Sequence, residues 1–402
     1  MPPETLAYMT ERRVGLVGAL MILVGQISMV LYTPAMPQIV VAFGTTEAAV
    51  KMTLTIYFAG FAVSQLFCGP LSDGLGRKPT LVAFMGIYLV ASIVALFAPS
   101  VEDLIAARFF QGVGASAGTV ISRALIRDLF QNDAASRAMA FQTTFLALGP
   151  ALSPTLGGLI MEFAGWQAIF AFMAGLGAVV VLAAQLSLRE TVTRDLSQIS
   201  LRAVRQAYAS LLGSCHFMLC CLVLGGTVGT IFTGYTMLPF IVMNRIGLSP
   251  TQFGIGMLAL PGGYFLGALT LRFLIRRFPA SKLVVIGLVS LFTGCVGIGL
   301  LLRITSPTYL TVVLPMSFFS YSIPFVVTAM TTAALAPFPR IAGSAASLTG
   351  FIQLGAGVAG GAVGAAMGDP VHAISTVLPA MGSIAIVSWL VWSRLQPYPA
   401  QS

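Results

Sequence analysis

The stretch GPLSDGLGRKP, Gly69–Pro79, lies between two long apolar runs and sets an aspartate, an arginine and a lysine within six positions, threaded among glycines. Only 8% of the chain is charged, so a cluster of this kind belongs at a water boundary. Gly69 and Gly76 permit close backbone approach and a turn of unusual dihedrals. Arg77 and Lys78 fit the excess of basic residues that cytoplasmic loops of membrane proteins carry. Asp73 does not, because that rule rewards no acid, and it falls three residues after Pro70 at a helix end.

Outward from this loop the chain is greasy. Its 402 residues are 57% apolar with a mean hydropathy of +0.94, against about a quarter charged in soluble domains. Twelve apolar runs are long enough to cross about 30 Å of hydrocarbon, centred near Gly25, Gly60, Ile87, Ala115, Leu148, Leu176, Leu224, Leu260, Leu291, Val326, Gly355 and Ser383. The bilayer interior offers no water to peptide groups, so runs of this length are helices; a barrel would show short alternating segments. The expected class is an all-α membrane protein of twelve transmembrane helices. The first run, Val14–Leu31, continues into YTPAMPQIV with no small-residue cleavage site, and reads as a retained span rather than a signal peptide.

The formal charge of +9 reflects topology and contact with the lipid bilayer, not nucleic acid. Sixteen of the 21 basic residues fall in loops on one side, Arg12, Arg13, Arg77, Lys78, Arg272, Arg276 and Arg277 among them, against Lys51, Arg245 and Arg303 on the other. That bias places both termini in the cytoplasm. The five cysteines lie in or beside spans and form no disulfide framework; His216 and His372 have no second ligand at metal spacing. No cofactor and no metal are expected.

The longest polar interval, LRETVTRDLSQISLRAVRQAYAS at Leu188–Ser210, divides the spans six and six. The expected domains are an N-terminal bundle, 1–188, a cytoplasmic linker, 189–210, and a C-terminal bundle, 211–402. DAASRAMAFQTTFLALGPALSPTLGG, through span five, echoes RIAGSAASLTGFIQLGAGVAGGAVG, through span eleven. Two related six-helix halves are the build of alternating-access transporters.

These residues carry a resemblance. GPLSDGLGRKP matches the loop motif of the major facilitator superfamily at every defined position: Gly69, Leu71, Asp73, Gly76, Arg77 and Lys78. ARFFQGVGASAG, Ala107–Gly118, is similar to the span-four motif of the drug:proton antiporters through Arg108, Gln111 and Gly112. GPALSPTLGG resembles their glycine-proline motif through Gly149, Pro150, Pro154, Gly157 and Gly158, with Ser153 where glycine is usual. LYTPAMPQI, SRALIRDLF and GWQAIF resemble the bicyclomycin-resistance (Bcr/CflA) subfamily of multidrug exporters.

The resemblance implies two pseudo-symmetric bundles of the major facilitator fold in a bacterial inner membrane, working as a monomer. It implies export of small amphipathic compounds with the proton as coupling ion. It makes Gly69, Asp73, Gly76, Arg77, Lys78 and Asp128 a conformational latch in which Asp128 pairs with Arg77 and Asp73 faces Gly343 and Ser344. It assigns Arg108, Gln111 and Gly112 to the coupling pathway, and makes the span-five glycines a leak-limiting seam against the other half. Polar and aromatic residues on apolar spans mark a candidate lining: Gln26, Tyr32, Tyr57, Gln142, Tyr235, Tyr264, Tyr321 and Gln353, each equally suited to a hydrogen bond between helices.

One position departs from the family. Cation-exporting relatives carry a carboxylate two residues before the tyrosine-x-proline of span one; here that residue is Val30, and no acid lies centrally in any span. Either Asp128 and Arg108 couple the proton, or the transporter favours neutral or anionic compounds and is weakly coupled. The alternatives are a specific metabolite, sugar or siderophore exporter on the same scaffold, or a membrane enzyme or sensor. Against an enzyme, the spans hold no nucleophile with a base and no paired carboxylates, so no catalytic residue is expected.

Overall fold

The computed structural model describes residues 9–192 and 201–395, all of the regular structure being helical; the middle of the linker, 193–200, lies outside the described residues. The helices are α1 (Glu11–Val30), α2 (Met36–Phe43), α3 (Glu47–Leu75), α4 (Arg77–Leu96), α5 (Val101–Leu129), α6 (Asn132–Ser187) and α7 (Leu201–Leu212). They continue with α8 (Cys215–Pro239), α9 (Pro250–Gly256), α10 (Ala259–Leu274), α11 (Ala280–Ile304), α12 (Tyr309–Leu335), α13 (Ala342–Ala366) and α14 (Pro370–Arg394). Starts follow capping chemistry: the side chains of Thr10, Ser100, Ser214 and Thr308 accept from the first turns of α1, α5, α8 and α12. Pro34 tightens the join of α1 and α2 into a 3₁₀ turn.

Eleven helices, some with a short helix joined end to end, are long and apolar enough to cross a membrane. One of them holds two spans. Unbroken, the 56 residues of α6 would measure about 84 Å, nearly three times a 30 Å hydrocarbon core. Gly165, at φ 78° and ψ 176°, breaks it where the backbone must reverse. The expected twelve spans are accounted for.

The chain forms two units. The first comprises Met1–Thr45 and Ile56–Ser200; the second comprises Thr46–Thr55 and Leu201–Ser402. The division runs through α3, whose opening turns group with the second unit and whose remainder groups with the first.

Lipid tails are as apolar as leucine, so helices associate in a bilayer through close packing rather than burial from water. Many of the close approaches here are glycines against backbone carbonyls. In the first unit, Gly60 abuts the Phe109 carbonyl and Gly112 that of Tyr57, joining α3 to α5; Gly118 abuts Met21 on α1. In the second, Gly263 and Gly267 abut the Ser317 and Tyr321 carbonyls, joining α10 to α12. The seams repeat: α3 with α5 matches α10 with α12, α4 with α5 matches α11 with α12, and α1 with α6 matches α8 with α13.

Within the first unit, the span-five glycines Gly149 and Gly157 have α1 as a close neighbour. A Cβ on Gly149 would lie 2.7 Å from Gln26 Cβ, and one on Gly157 would strike the Leu31 carbonyl, both on α1 of the same unit. At these two positions the glycine face packs on α1. Pro150 and Pro154 remove two hydrogen bonds beside it, and the Ser153 hydroxyl donates back to the Gly149 carbonyl, a bond that bends helices further.

Gly118→Ala places a methyl group on the Met21 carbonyl, whereas Gly86→Ala meets nothing within 4 Å. The first is expected to destabilise the folded protein by about 1–3 kcal/mol and the second to leave it unchanged or slightly stabilised. Thermal unfolding of detergent-solubilised protein measures both.

Candidate functional site

Two polar clusters in the first unit carry most of the motif residues. The deeper is built on Arg108, seven residues into α5, about 10 Å along its axis. Its side chain is wholly buried. Nη1 donates to Gln111 Oε1 at 2.5 Å and Nη2 to the Ser28 carbonyl at 3.3 Å. The guanidinium carbon stands 4.2 Å from the Tyr57 ring centroid and 4.9 Å from that of Tyr32, a double cation–π clamp.

Around the clamp each hydroxyl is committed. Gln111 Nε2 donates to Ser92 Oγ at 2.8 Å and contacts Met173 Sδ at 3.3 Å. Ser28 and Tyr88 share a 2.6 Å hydrogen bond, and the Tyr57 hydroxyl donates to the Gly25 carbonyl at 3.0 Å. Gly112 lets α3 come close enough to lay Tyr57 over the cation. Five spans thus converge on one positive charge.

Among the described residues no carboxylate answers that charge. None of the ion pairs among the described residues includes Arg108, and its Nε has no partner. Val30, at the position where the resemblance implied an acid in cation exporters, is buried. The site is a desolvated cation held by ring faces and dipoles, suited to attract electron-rich groups and to repel cations.

The second cluster sits where Gly69–Pro79 turns from α3 into α4. Arg77 is buried and makes three contacts: Nη1 to Asp73 Oδ1 at 2.5 Å, Nη1 to Ser72 Oγ at 2.7 Å, and Nε to Asp128 Oδ2 at 2.9 Å on the end of α5. Asp73, expected near Gly343 and Ser344, has Arg77 as its charged partner in the first unit. Gly69 closes beside Val120 and its carbonyl accepts from Ser72.

Sequence reasoning missed Glu190. Gly76 offers α4 no side-chain cap, and the Glu190 carboxylate takes that place, accepting from the backbone N–H of Arg77 at 2.9 Å and of Lys78 at 3.0 Å. In return Lys78 Nζ donates to the Gln185 and Leu188 carbonyls at the end of α6, at 2.8 and 2.9 Å. An acid on a helix N-terminus and a base on a C-terminus each oppose the local dipole charge. Gly76 is required twice, by φ 106° and because a Cβ would lie 2.6 Å from Glu190 Oε2.

The second unit holds another buried cation that sequence reasoning set in an outer loop. Lys51, on the opening turns of α3, pairs with Glu47 at 3.4 Å, donates to the Gly368 carbonyl just past α13 at 3.3 Å, and lies 5.0 Å from the Phe240 ring centroid. Its position four residues after Glu47 is the available signal.

The candidate lining residues do not form one group. Tyr32 and Tyr57 belong to the Arg108 clamp. Gln142 is buried against Gly18 on α1 with neither amide atom hydrogen-bonded, and Gln26 is partly buried beside Gly149. In the second unit Tyr235 is buried, Gln353 and Tyr321 are partly buried and Tyr264 is exposed.

The profile of the Major Facilitator Superfamily matches residues 18–395. The chain belongs to that superfamily. It is 30% identical over 390 residues to the uncharacterized MFS-type transporter YdgK of Bacillus subtilis (strain 168), covering 94% of this chain and 92% of that one. It is 29% identical over 379 residues to multidrug resistance protein D of Escherichia coli (strain K12), covering 92% and 93%. A chloramphenicol resistance protein of Pseudomonas aeruginosa is 33% identical over 235 residues, 58% of this chain and 55% of that one.

Among solved structures, a bacterial homolog of the human lysosomal transporter Spinster superposes with a TM-score of 0.73 at 16% identity, covering 100% of both chains. The D-xylose-proton symporter does so at 0.72 and 16%, covering 96% of this chain and 98% of the other. Both establish the major facilitator fold. This superfamily chain is a multi-pass membrane protein.

Replacing Glu190 with Gln weakens the cap on α4 without removing its bulk. The Arg77 and Lys78 amides are expected to exchange hydrogen about three- to tenfold faster, equivalent to about 1 kcal/mol. Amide exchange followed by mass spectrometry on detergent-solubilised protein reads this, with the peptides of α10 as internal controls.

Proposed function

We propose that the chain is a secondary active efflux transporter of the twelve-span drug:proton antiporter type, close to the bicyclomycin-resistance subfamily. It exports small amphipathic drug-like compounds by alternating access, as a monomer in a bacterial inner membrane with both termini in the cytoplasm. The superfamily supports transport rather than catalysis. The names of the multidrug and chloramphenicol resistance relatives support efflux as its direction and drugs as its cargo.

The observation that carries the finer reading is the Arg108 clamp, a buried cation with aromatic faces and no carboxylate. An isolated positive charge at this depth raises the free energy of any cation brought near it and lowers that of a carbonyl, nitro group or carboxylate. The substrate class is therefore neutral or anionic. Gln111 and Gly112 set the clamp's geometry; Gln142, whose amide is buried with unmet hydrogen-bonding capacity, is a further candidate to meet a substrate.

Proton coupling then falls to a carboxylate outside the spans' centres, and Asp128 is the candidate. It holds Arg77 in the latch, and protonation would release that contact, tying the proton to the movement of α4 and α5. Lys51, at the other end of α3, supplies the corresponding outer contact. A specific metabolite, sugar or siderophore exporter is the second reading, favoured by Val30 in place of the usual acid.

The decisive experiment is substrate-induced proton movement in proteoliposomes. Wild type is expected to move protons with a neutral amphenicol and weakly with a lipophilic cation. Arg108→Ala is expected to abolish the response, and Asp128→Asn to slow it about tenfold, as for loss of a charged hydrogen bond. Preferential pumping of the cation would refute the substrate class; transport with no dependence on pH would refute antiport.

A further inference from the structure

In the first unit, α1 and the first half of α6 run side by side in the same direction: Gly15 meets Phe141, Gly18 meets Gln142, Gly149 meets Gln26 and Gly157 meets Leu31. Their charges stop at one level. After Arg13 the chain carries no charged residue until Glu47, and after Arg137 none until Glu162, so the two helices pass from water into hydrocarbon together. At that boundary lies a cavity of about 570 Å³ with Glu11, Arg12, Gly15, Leu16, Arg137 and Phe141 in its lining.

The wall is sorted by depth. Leu16 lies one turn further into α1 than Arg12, and Phe141 one turn further into α6 than Arg137; the two apolar side chains are 50% and 40% exposed. On the watery side Arg137 grips Glu11 through two hydrogen bonds, Nε to Oε1 at 3.1 Å and Nη2 to Oε2 at 3.0 Å. That carboxylate is thereby neutralised. Arg12 is exposed and makes no hydrogen bond or ion pair among the described residues, so the wall carries one uncompensated positive charge beside an apolar floor.

The apolar part continues past the cavity. Phe145 packs on Phe141 with ring centroids 5.0 Å apart, and Leu148 and Leu152 are exposed further along the same face of α6. Residues 141, 145, 148 and 152 follow the helical repeat and form one stripe that leads from the cavity into the hydrocarbon. From Phe141 to Leu152 the stripe covers about 16 Å of helix, against about 15 Å for the depth of one leaflet.

We propose that this cleft binds one anionic phospholipid, its phosphate held by Arg12 and Arg137 and one acyl chain laid along Leu16, Phe141, Leu148 and Leu152. A free inorganic anion matches the cations but leaves the apolar wall unused, and a hydrocarbon chain alone does the reverse. A zwitterionic lipid brings its own ammonium to a wall of net positive charge and gains less. Basic clefts between transmembrane helices favour anionic head groups on these grounds. The orientation proposed above makes this the cytoplasmic leaflet. The site itself requires only that both helices start at the same leaflet, and it depends on neither the cargo nor the coupling of transport.

The test uses full-length protein in a neutral detergent, with native mass spectrometry following the binding of dioleoylphosphatidylglycerol. One molecule is expected to be retained in preference to dioleoylphosphatidylcholine. Arg12→Gln and Arg137→Gln should each weaken it about fivefold, as for one basic residue at an anionic surface, whereas Arg277→Gln, an exposed charge just past α10, should leave it unchanged. Glu11→Gln breaks the same ion pair as Arg137→Gln but frees the arginine, and should strengthen binding. A phosphatidylglycerol carrying a diazirine in its tail should label α1 at Leu16 and α6 within residues 141–152. Unchanged thermal unfolding without added lipid is the folding control. Equal retention of the zwitterionic lipid, equal loss with Arg277→Gln, weakening by Glu11→Gln, displacement by inorganic phosphate, or label spread evenly over the lipid-facing helices would each overturn the proposal. Loss of proton-coupled transport with the lipid still bound would count against the efflux reading alone.

Discussion

Hydrocarbon accepts no hydrogen bond, and everything in this chain follows from that. Peptide groups must be satisfied within their own helix, which leaves side chains to decide how helices meet and where polarity is allowed. Close packing is achieved by putting glycine against carbonyl, as at Gly112 on Tyr57 and Gly263 on Ser317. Polarity is confined to points where several helices supply partners together. Arg108 is the extreme case: a permanent charge is tolerated in the interior because Tyr32, Tyr57, Gln111 and Ser28 surround it.

Helix ends obey the same rule from the other direction. Where α4 starts and α6 stops, unpaired N–H and C=O groups remain, and the chain answers them crosswise through Glu190 and Lys78. The loop Gly69–Pro79 is therefore the junction of four helix ends and the start of the linker. Arg77 belongs to this junction and, through Asp128, to the end of α5, so a disturbance of one carboxylate reaches three helices.

Spans, their number and the loop motif were legible because they depend on local composition and contiguous residues. Arg108 was legible as a pathway residue only through the resemblance of its motif; its own neighbours suited an outward reach to Glu102 and Asp103 as well as an inward one. Glu190 was not, being 113 positions from Arg77 and set among other charges in a polar interval. Lys51 read as an outer-loop cation because sequence alone does not reveal that α13 ends beside it. The α1 neighbours of Gly149 and Gly157 were illegible for a related reason: a glycine face declares that something approaches, not what. Tyr264 and Tyr321 were marked by residue type, whereas helix rotation sets one as exposed and the other as partly buried.

The uncompensated Arg108 also has an electrical side. A unit that carries a fixed positive charge part-way across the membrane behaves as a charged body in the transmembrane field, where full passage of one charge is worth about 2.3 kcal/mol per 100 mV. Any rocking that shifts Arg108 along the field direction draws on a fraction of that energy, whatever the cargo. A relative with an acid at the place of Val30 would carry a near-neutral pair and feel little. With such a shift, the resting potential would bias which side of the cycle is populated in this chain, even when the molecule being moved has no charge.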